Sequence, residues 1–277
     1  MNEVVHLLLR HRGAQIGLCI LLTIISMALF ADVLAPYDPY KANLRDALKP
    51  PSLDHPMGTD EIGRDILSRI MYGARFSLFI AFASVAMGAI IGVSIGLLSG
   101  YYGGWIDYVV QRMTDILLAL PGVVLALALV AVLGPGLTNL IIAVGIGFIP
   151  VYIRIVRGVT LQVKAMEYVT AAEMLGLSSL RVLFKHILPN VFPSVMVQVT
   201  LHLGSAVLAA AGLGFLGLGV QPPNPEWGAM IGTGRNYIFR APHLIIFPGL
   251  SLFLVVLGFN LLGAALREVL DPRLRRG

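Results

Sequence analysis

The chain has 277 residues, 57% of them hydrophobic and 13% charged, with a formal net charge of +5 and a single cysteine. Water-soluble domains carry about a quarter charged residues, so this balance excludes a soluble enzyme and places the chain in a bilayer. The lone thiol, Cys19, excludes a disulfide framework or a cysteine-built metal site. The basic excess reads as an orientation signal, not a nucleic-acid footprint.

A spanning helix needs about 20 mostly apolar residues, and that length predicts six spans: 13 to 33, 77 to 99, 113 to 133, 138 to 157, 191 to 219 and 244 to 266. One membrane domain fills the chain. Residues 1–76 hold an N-terminal cytoplasmic segment, the first transmembrane helix and an extracytoplasmic loop, and residues 77–277 hold a five-helix core with a polar loop at about 164–189. The first span follows Arg10 and Arg12 and lacks an Ala-x-Ala cleavage site, so it reads as a retained anchor. The proposed inner segments carry Arg10, Arg12, Arg112, Arg154, Arg157, Lys164, Arg181, Lys185, Arg267, Arg273, Arg275 and Arg276, which puts both termini in the cytoplasm.

The outer loop carries alternating acids and bases in His55-Pro-Met-Gly-Thr-Asp-Glu-Ile-Gly-Arg-Asp65, then Ser68-Arg69, Gly73 and Arg75. Thr59 or Asp60 is expected to cap a helix over 61–74, with Arg64, Arg69 and Arg75 reaching headgroups or carboxylates. The segment reads as an interfacial helix or, by its length and mixed charge, as a docking surface for an external partner. Asp60, Glu61 and Asp65 have no histidine at ligand spacing and do not form a metal site.

Asp107, Arg112 and Asp115 near the third span pair at helical spacing as an inner-edge ion cluster. Gly134-Pro135-Gly136 then makes a tight turn between spans. Residues 167 to 193 form a polar helix-turn-helix island. Gly176 is placed to end its first helix, Ser178 or Ser179 to cap the next, and Pro189 to stop it. In the fifth span, Gly212, Gly214, Gly217 and Gly219 permit close helix packing or local unwinding. His202 is the lone ionisable residue well inside a span, either a neutral imidazole bonded to a neighbour or a ligand or proton group.

The span interiors hold no acids, which disfavours an ion-coupled carrier. No lysine among Lys41, Lys49, Lys164 and Lys185 follows a phosphate-cradling glycine loop, and neither His-Glu-x-x-His nor Gly-x-Ser-x-Gly occurs. The chain therefore has no ATPase or hydrolase motif of its own.

The Ala171-Ala172 pair and Gly176 ahead of Leu188-Pro189 resemble the EAA loop of ABC-importer permeases, with Thr170 and His186 standing where that pattern usually has Glu and Ile. Gly58-Thr59-Asp60, Gly63-Arg64-Asp65 and Ser68-Arg69 resemble the dipeptide, oligopeptide and nickel branch of those permeases. Its C-type subunit is matched further by Gly100-Tyr-Tyr-Gly-Gly-Trp105, Phe215-Leu-Gly-Leu-Gly219, Gln221-Pro-Pro223, Trp227-Gly228, Asn260-Leu-Leu-Gly263 and Asp271-Pro-Arg273.

The resemblance implies an all-α membrane protein with six transmembrane helices, the type I ABC importer permease fold and a cytoplasmic coupling loop. It implies a subunit of a bacterial or archaeal cytoplasmic membrane that forms half of a path for di- or oligopeptides. Its implied partners are a second permease subunit, two ABC ATPase subunits that bind ATP and Mg, and an external solute-binding protein. No cofactor is expected in this chain, and no nucleic acid. The implied ATPase-coupling loop comprises Glu167, Tyr168, Thr170, Ala171, Ala172, Gly176, His186, Leu188 and Pro189. The alternatives are the same machinery for nickel chelates, glutathione or sugars, an ion-coupled secondary carrier, and a membrane scaffold.

Overall fold

Apolar stretches in hydrocarbon must satisfy every backbone N–H and C=O internally, and each one here does so as helix. The computed structural model describes residues 2–270; Asp271-Pro-Arg273 and the basic residues Arg273, Arg275 and Arg276 lie outside the described residues. In chain order the helices are α1 (Asn2–Arg10), α2 (Arg12–Leu29), α3 (Ala31–Leu34), α4 (Ile66–Tyr102), α5 (Gly104–Leu118), α6 (Gly122–Leu133), α7 (Leu137–Lys164), α8 (Glu167–Met174), α9 (Ser179–Val182), α10 (Leu188–Phe215), α11 (Trp227–Gly234) and α12 (His243–Leu270). Among the described residues the only β pairing is an isolated bridge between Thr59 and Asp65. The helix α4 runs unbroken across residue 76, so the outer loop and the core share one rod.

The bundle is built on α4 and α7. Glycines at every fourth position of α4 form one stripe, and α7 lies directly on it. A Cβ on Gly88 would meet the Gly145 carbonyl at 2.9 Å, on Gly92 the Tyr152 Cβ at 2.5 Å, on Gly96 the Ile153 carbonyl at 2.8 Å and on Gly100 the Thr160 Cβ at 2.8 Å. Lipid tails are as apolar as side chains, so close backbone approach is what favours this pairing over lipid. Residue numbers rise together along the seam, which makes α4 and α7 parallel. The chain between them must therefore climb back across the bilayer.

That return differs from the predicted straight span over 113 to 133. It is a bent pair, α5 and α6, meeting at 88°. Pro121 is the cause: its ring restricts Leu120 and its missing N–H removes a helical bond. The arm α5 packs on α7 and α4, while α6, 12 residues long and so about 18 Å, is too short to cross a bilayer alone. Gly134 (φ +88°) and Gly136 (φ +142°) then make the predicted turn into α7.

The island also departs from expectation at Pro189. The helix does not stop there, because a π turn over Leu183–Ile187 brings the Leu188 amide to the Leu183 carbonyl, and α9 runs through into α10. The wider turn accommodates a proline ring that a regular helix would drive into a carbonyl. The fifth span ends at Phe215, where Gly217 (φ +80°) closes it and residues 216–226 fold back.

The glycine seam predicts a sharp asymmetry between substitutions. Gly92→Leu inserts a side chain into a backbone contact and is expected to destabilise the chain by several kcal/mol, beyond the ~1–3 kcal/mol typical of overpacking, whereas Gly249→Ala, which meets nothing within 4 Å, leaves it unaffected. Thermal unfolding in detergent or lipid discs measures both, and equal melting temperatures for the two variants would refute the seam.

Candidate functional site

The polar island follows the C-terminal end of α7, beside that of α4, and is tied to both. Lys164, the last residue of α7, donates to the Tyr101 carbonyl at 2.5 Å and sits 5.0 Å from the Tyr101 ring. The Tyr101 hydroxyl donates to Glu173 on α8 at 2.9 Å. The helix α8 ends as predicted: with Gly176 at φ +80°, the Leu177 amide bonds the Ala172 carbonyl and the Gly176 amide bonds that of Glu173. Ser178 takes the capping position of α9, but its hydroxyl makes no capping bond.

The candidate residues divide by face. Val169 and Ala172 turn inward, whereas Glu167, Tyr168, Thr170, Ala171, Gly176 and Pro189 are exposed and His186 and Leu188 are half-buried. His186 lies beside Tyr168, with ring centroids 6.3 Å apart. Asn190 joins them by donating to the Tyr168 hydroxyl at 3.0 Å and to the His186 carbonyl at 2.7 Å. Beyond the polar residues the island exposes four apolar side chains that reading by motif missed: Met174 is 83% exposed, Leu175 81%, Leu180 61% and Phe184 64%. Its signal in the sequence was apolar residues on both sides of Gly176, within an otherwise polar segment.

Just above the island, the ion cluster forms between helices and not along one. Arg157 of α7 grips Asp107 of α5 with two bonds of 2.5 Å, and Ser99 donates to the same carboxylate at 2.6 Å. Arg154 pairs with Asp115 at 2.6 Å, while Arg112 lies 6.0 Å from the Tyr108 ring. The cross-helix pairing holds the arm α5 onto α7. The Arg157 guanidinium, helped by Ser99, keeps the Asp107 carboxyl below the usual carboxylate range against the opposing effect of burial.

On the outer side, Gly58, Thr59, Asp60, Gly63, Arg64, Asp65, Ser68 and Arg69 are all buried. The predicted helix over 61–74 is corrected: residues 61–65 are a turn, and Asp65 is the cap, accepting from the Ser68 amide at 2.8 Å and hydroxyl at 2.7 Å. Asp60 instead closes that turn, accepting from the Ile62 and Arg64 amides, and it pairs with the Arg64 side chain at 2.6 Å and with Arg69 at 3.5 Å. Arg69 also donates to the Pro39 carbonyl at 2.9 Å, and Arg75 reaches Asp32 at 2.9 Å. The arginines thus serve carboxylates and carbonyls of this chain. Gly63 (φ +80°) lies so close to the Asn43 carbonyl that no Cβ fits.

The short helix α11 packs on α10, α12 and α4 at the same end. Glu226, 1% exposed, caps it by accepting from the Gly228 and Ala229 amides at 2.8 Å, and the Trp227 indole donates to the Ile70 carbonyl at 3.1 Å. Gly228 and Gly232 press on the backbone of α10 at Ala211 and Phe215. Of the fifth-span glycines, Gly214 and Gly219 sit at close approaches, Gly217 ends the helix and Gly212 faces open space. His202 makes no hydrogen bond within the described residues; it stacks on Phe148 at 4.8 Å and stands edge-on to Tyr152 at 5.1 Å.

Comparison with known proteins agrees with this architecture. Residues 92–276 match the family described as binding-protein-dependent transport system inner membrane component, and residues 1–51 match the N-terminal TM domain of oligopeptide transport permease C. The chain is 45% identical to the dipeptide transport system permease protein DppC of Alkalihalophilus pseudofirmus, across 99% of this chain and 90% of the relative. It is 46% identical to the glutathione transport system permease protein GsiD of Pectobacterium atrosepticum, across 96% and 88%. The di/tripeptide transport system permease protein DppC of Pseudomonas aeruginosa is likewise 46% identical, across 96% and 89%. Among solved structures, an inward-facing MetNI methionine ABC transporter superposes with a TM-score of 0.60 at 20% identity, over 73% of this chain and 96% of that one.

The two ion clusters give separate predictions. Asp107→Asn is expected to cost about 1–3 kcal/mol at neutral pH, since the pair is partly buried and doubly bonded. The Asp107 carboxyl lies lower in the folded state than its ordinary 3.8, so its contribution is present above that value and is lost as pH falls below it. Melting temperature against pH should therefore drop more steeply on the acid side in the parent than in the variant. Asp60→Ala, which strands Arg64 and Arg69, is expected to cost about 3–5 kcal/mol; rapid proteolysis of the outer loop would report it, and parental resistance would contradict the brace.

Proposed function

This chain belongs to the family of binding-protein-dependent transport system inner membrane components, and from that premise we propose that it forms half of the translocation path of an ATP-driven importer for di- or oligopeptides. A second permease supplies the other half, two ATPase subunits bind ATP and Mg and supply energy, and an external binding protein delivers the solute. Both termini face the cytoplasm, where the basic inner segments lie. The full-length similarity to permeases named for dipeptides, di/tripeptides and glutathione, itself a tripeptide, supports a short-peptide solute.

The observation that carries the coupling role is the exposure of Met174, Leu175, Leu180 and Phe184. Apolar side chains exposed on one short island outside the apolar spans call for a protein partner. On the same island Tyr168, His186 and Asn190 form a polar group, and Thr170 is exposed. The ties of Lys164 to Tyr101 and of Tyr101 to Glu173 connect this surface to α4 and α7, so a push on α8 is delivered to the glycine seam. Moving a two-state bundle from 1:99 to 99:1 takes about 5.5 kcal/mol of differential binding. ATPase closure must therefore grip the island better in one state than in the other.

Reconstitution with the candidate permease and ATPase subunits in lipid discs tests this reading by ATP hydrolysis with and without peptide-loaded or metal-loaded binding proteins. Stimulation by the peptide-loaded form is expected; failure of a well-folded chain to assemble with an ATPase would overturn it. Met174→Glu with Phe184→Ala should abolish stimulated hydrolysis while leaving the chain inserted. Ala171, exposed, is the alanine whose replacement by Arg probes docking, because Ala172 is buried and its replacement disturbs packing first. Gly176→Val, which forces a branched residue to φ +80°, should uncouple through the angle between α8 and α9.

A further inference from the structure

Polar side chains inside the spans are mostly tied to their own helix. Thr23 donates to the Cys19 carbonyl, Ser94 to Ile90, Thr200 to Met196 and Ser251 to Phe247, all within 3.0 Å. One face of α10 departs from this. Ser194, Gln198, His202 and Ser205 recur at helical spacing on that face, none of them fully buried, and none makes a hydrogen bond among the described residues. Nδ1 of His202 is buried without a partner, and so is the hydroxyl of Tyr152, whose ring stands against it and whose side chain is fully buried. Asn260 of α12 borders the same face. It is exposed, and its Oδ1 lies 3.5 Å from where a Cβ on Gly204 of α10 would be.

The helix α10 packs against both α7 and α12, and the Ser194 and Gln198 end of the face opens into a cavity between them. That cavity measures about 370 Å³ and is lined by Ile155 from α7, Ser194 and Gln198 from α10, and Arg267 from α12. Arg267 is exposed and pairs with no acid among the described residues. Amide and imidazole groups facing hydrocarbon would be costly, so a face that leaves them unpaired calls for water, a polar solute or a polar protein surface.

Resting on the peptide-importer reading, we propose that this face of α10, with Asn260 beside it, is this subunit's wall of the solute path. Its uncharged donors and acceptors match the backbone amides of a peptide, which every peptide presents whatever its side chains. Between Ser194 and Ser205 the α10 face carries no fixed charge, which avoids trapping acidic or basic residues midway; the one charge nearby, Arg267, stands at the end of the cavity. Packing by the second permease subunit is the competing occupant, and it gives a different result below.

Cysteine accessibility decides between them. In a Cys19→Ala background, Gln198→Cys, Ser205→Cys and Asn260→Cys are introduced singly, with Leu22→Cys on the outward face of α2, 60% exposed, as the lipid-facing control. Each is assembled with its partners in lipid discs and treated with a charged, membrane-impermeant methanethiosulfonate added from both sides. The path positions are expected to react about tenfold or more faster than Leu22→Cys, because a charged reagent is excluded from hydrocarbon, and excess transported dipeptide should slow them. Reaction in the isolated chain but not in the complex would overturn the proposal in favour of a permease interface; control-like rates in both would overturn it in favour of lipid. Labelling is read without transport, so failed peptide uptake by the parent complex would sink the importer reading separately.

Discussion

The seam between α4 and α7 is the constraint from which the remaining structure follows. Glycines at four-residue spacing bring two backbones together without side chains between them, and the lack of a hydrophobic driving force in lipid makes that proximity decisive. Because the two helices run parallel, the intervening segment must return across the bilayer. Its bent path through α5 and α6 is held at the inner end by Asp107 and Arg157. The α10 helix packs across both α4 and α7, and α12 and α2 follow from α10 outward.

The outer and inner ends of this rod are finished in different ways. Outside, carboxylates and arginines are buried together, with Asp60 serving Arg64 and Arg69, and His243 of α12 reaching the Thr59 carbonyl at 3.2 Å. Burial of such charges is tolerable only when every partner is present, so the outer loop, α4 and α12 are locked as one piece. Inside, the polar contacts are fewer and the apolar side chains of the island are left uncovered. The two ends of the bundle therefore differ: one is braced by buried charges, and the other leaves apolar side chains exposed.

The unpaired polar face belongs to α10, the helix that continues from the island and ends against α11. The π turn ahead of Pro189 is the point where this helix changes its hydrogen-bond pairing, between the exposed apolar residues of the island and the unpaired polar face. Any displacement of α9 passes through that turn.

Composition and span length were enough to establish a helical membrane protein, because a bilayer leaves the backbone no other choice here. Local turn chemistry was equally legible: Gly176 ends α8 and Gly134-Pro135-Gly136 turns into α7, since both depend on backbone preferences of single residues. The matched motifs identified the family for the same reason, being short strings read in place. Tertiary structure decided what those strings touch. Asp60 looked like a helix cap and instead closes a turn and pairs with Arg64 and Arg69; those arginines and Arg75, read as reaching headgroups or carboxylates, bind carboxylates of this chain; Pro189 looked like a stop and is absorbed by a π turn. The ion cluster read along one helix proved to bridge two. Each of these outcomes depends on a partner distant in sequence or on the pairing of neighbouring turns, and spacing along a single helix carries no information about which face another helix will cover.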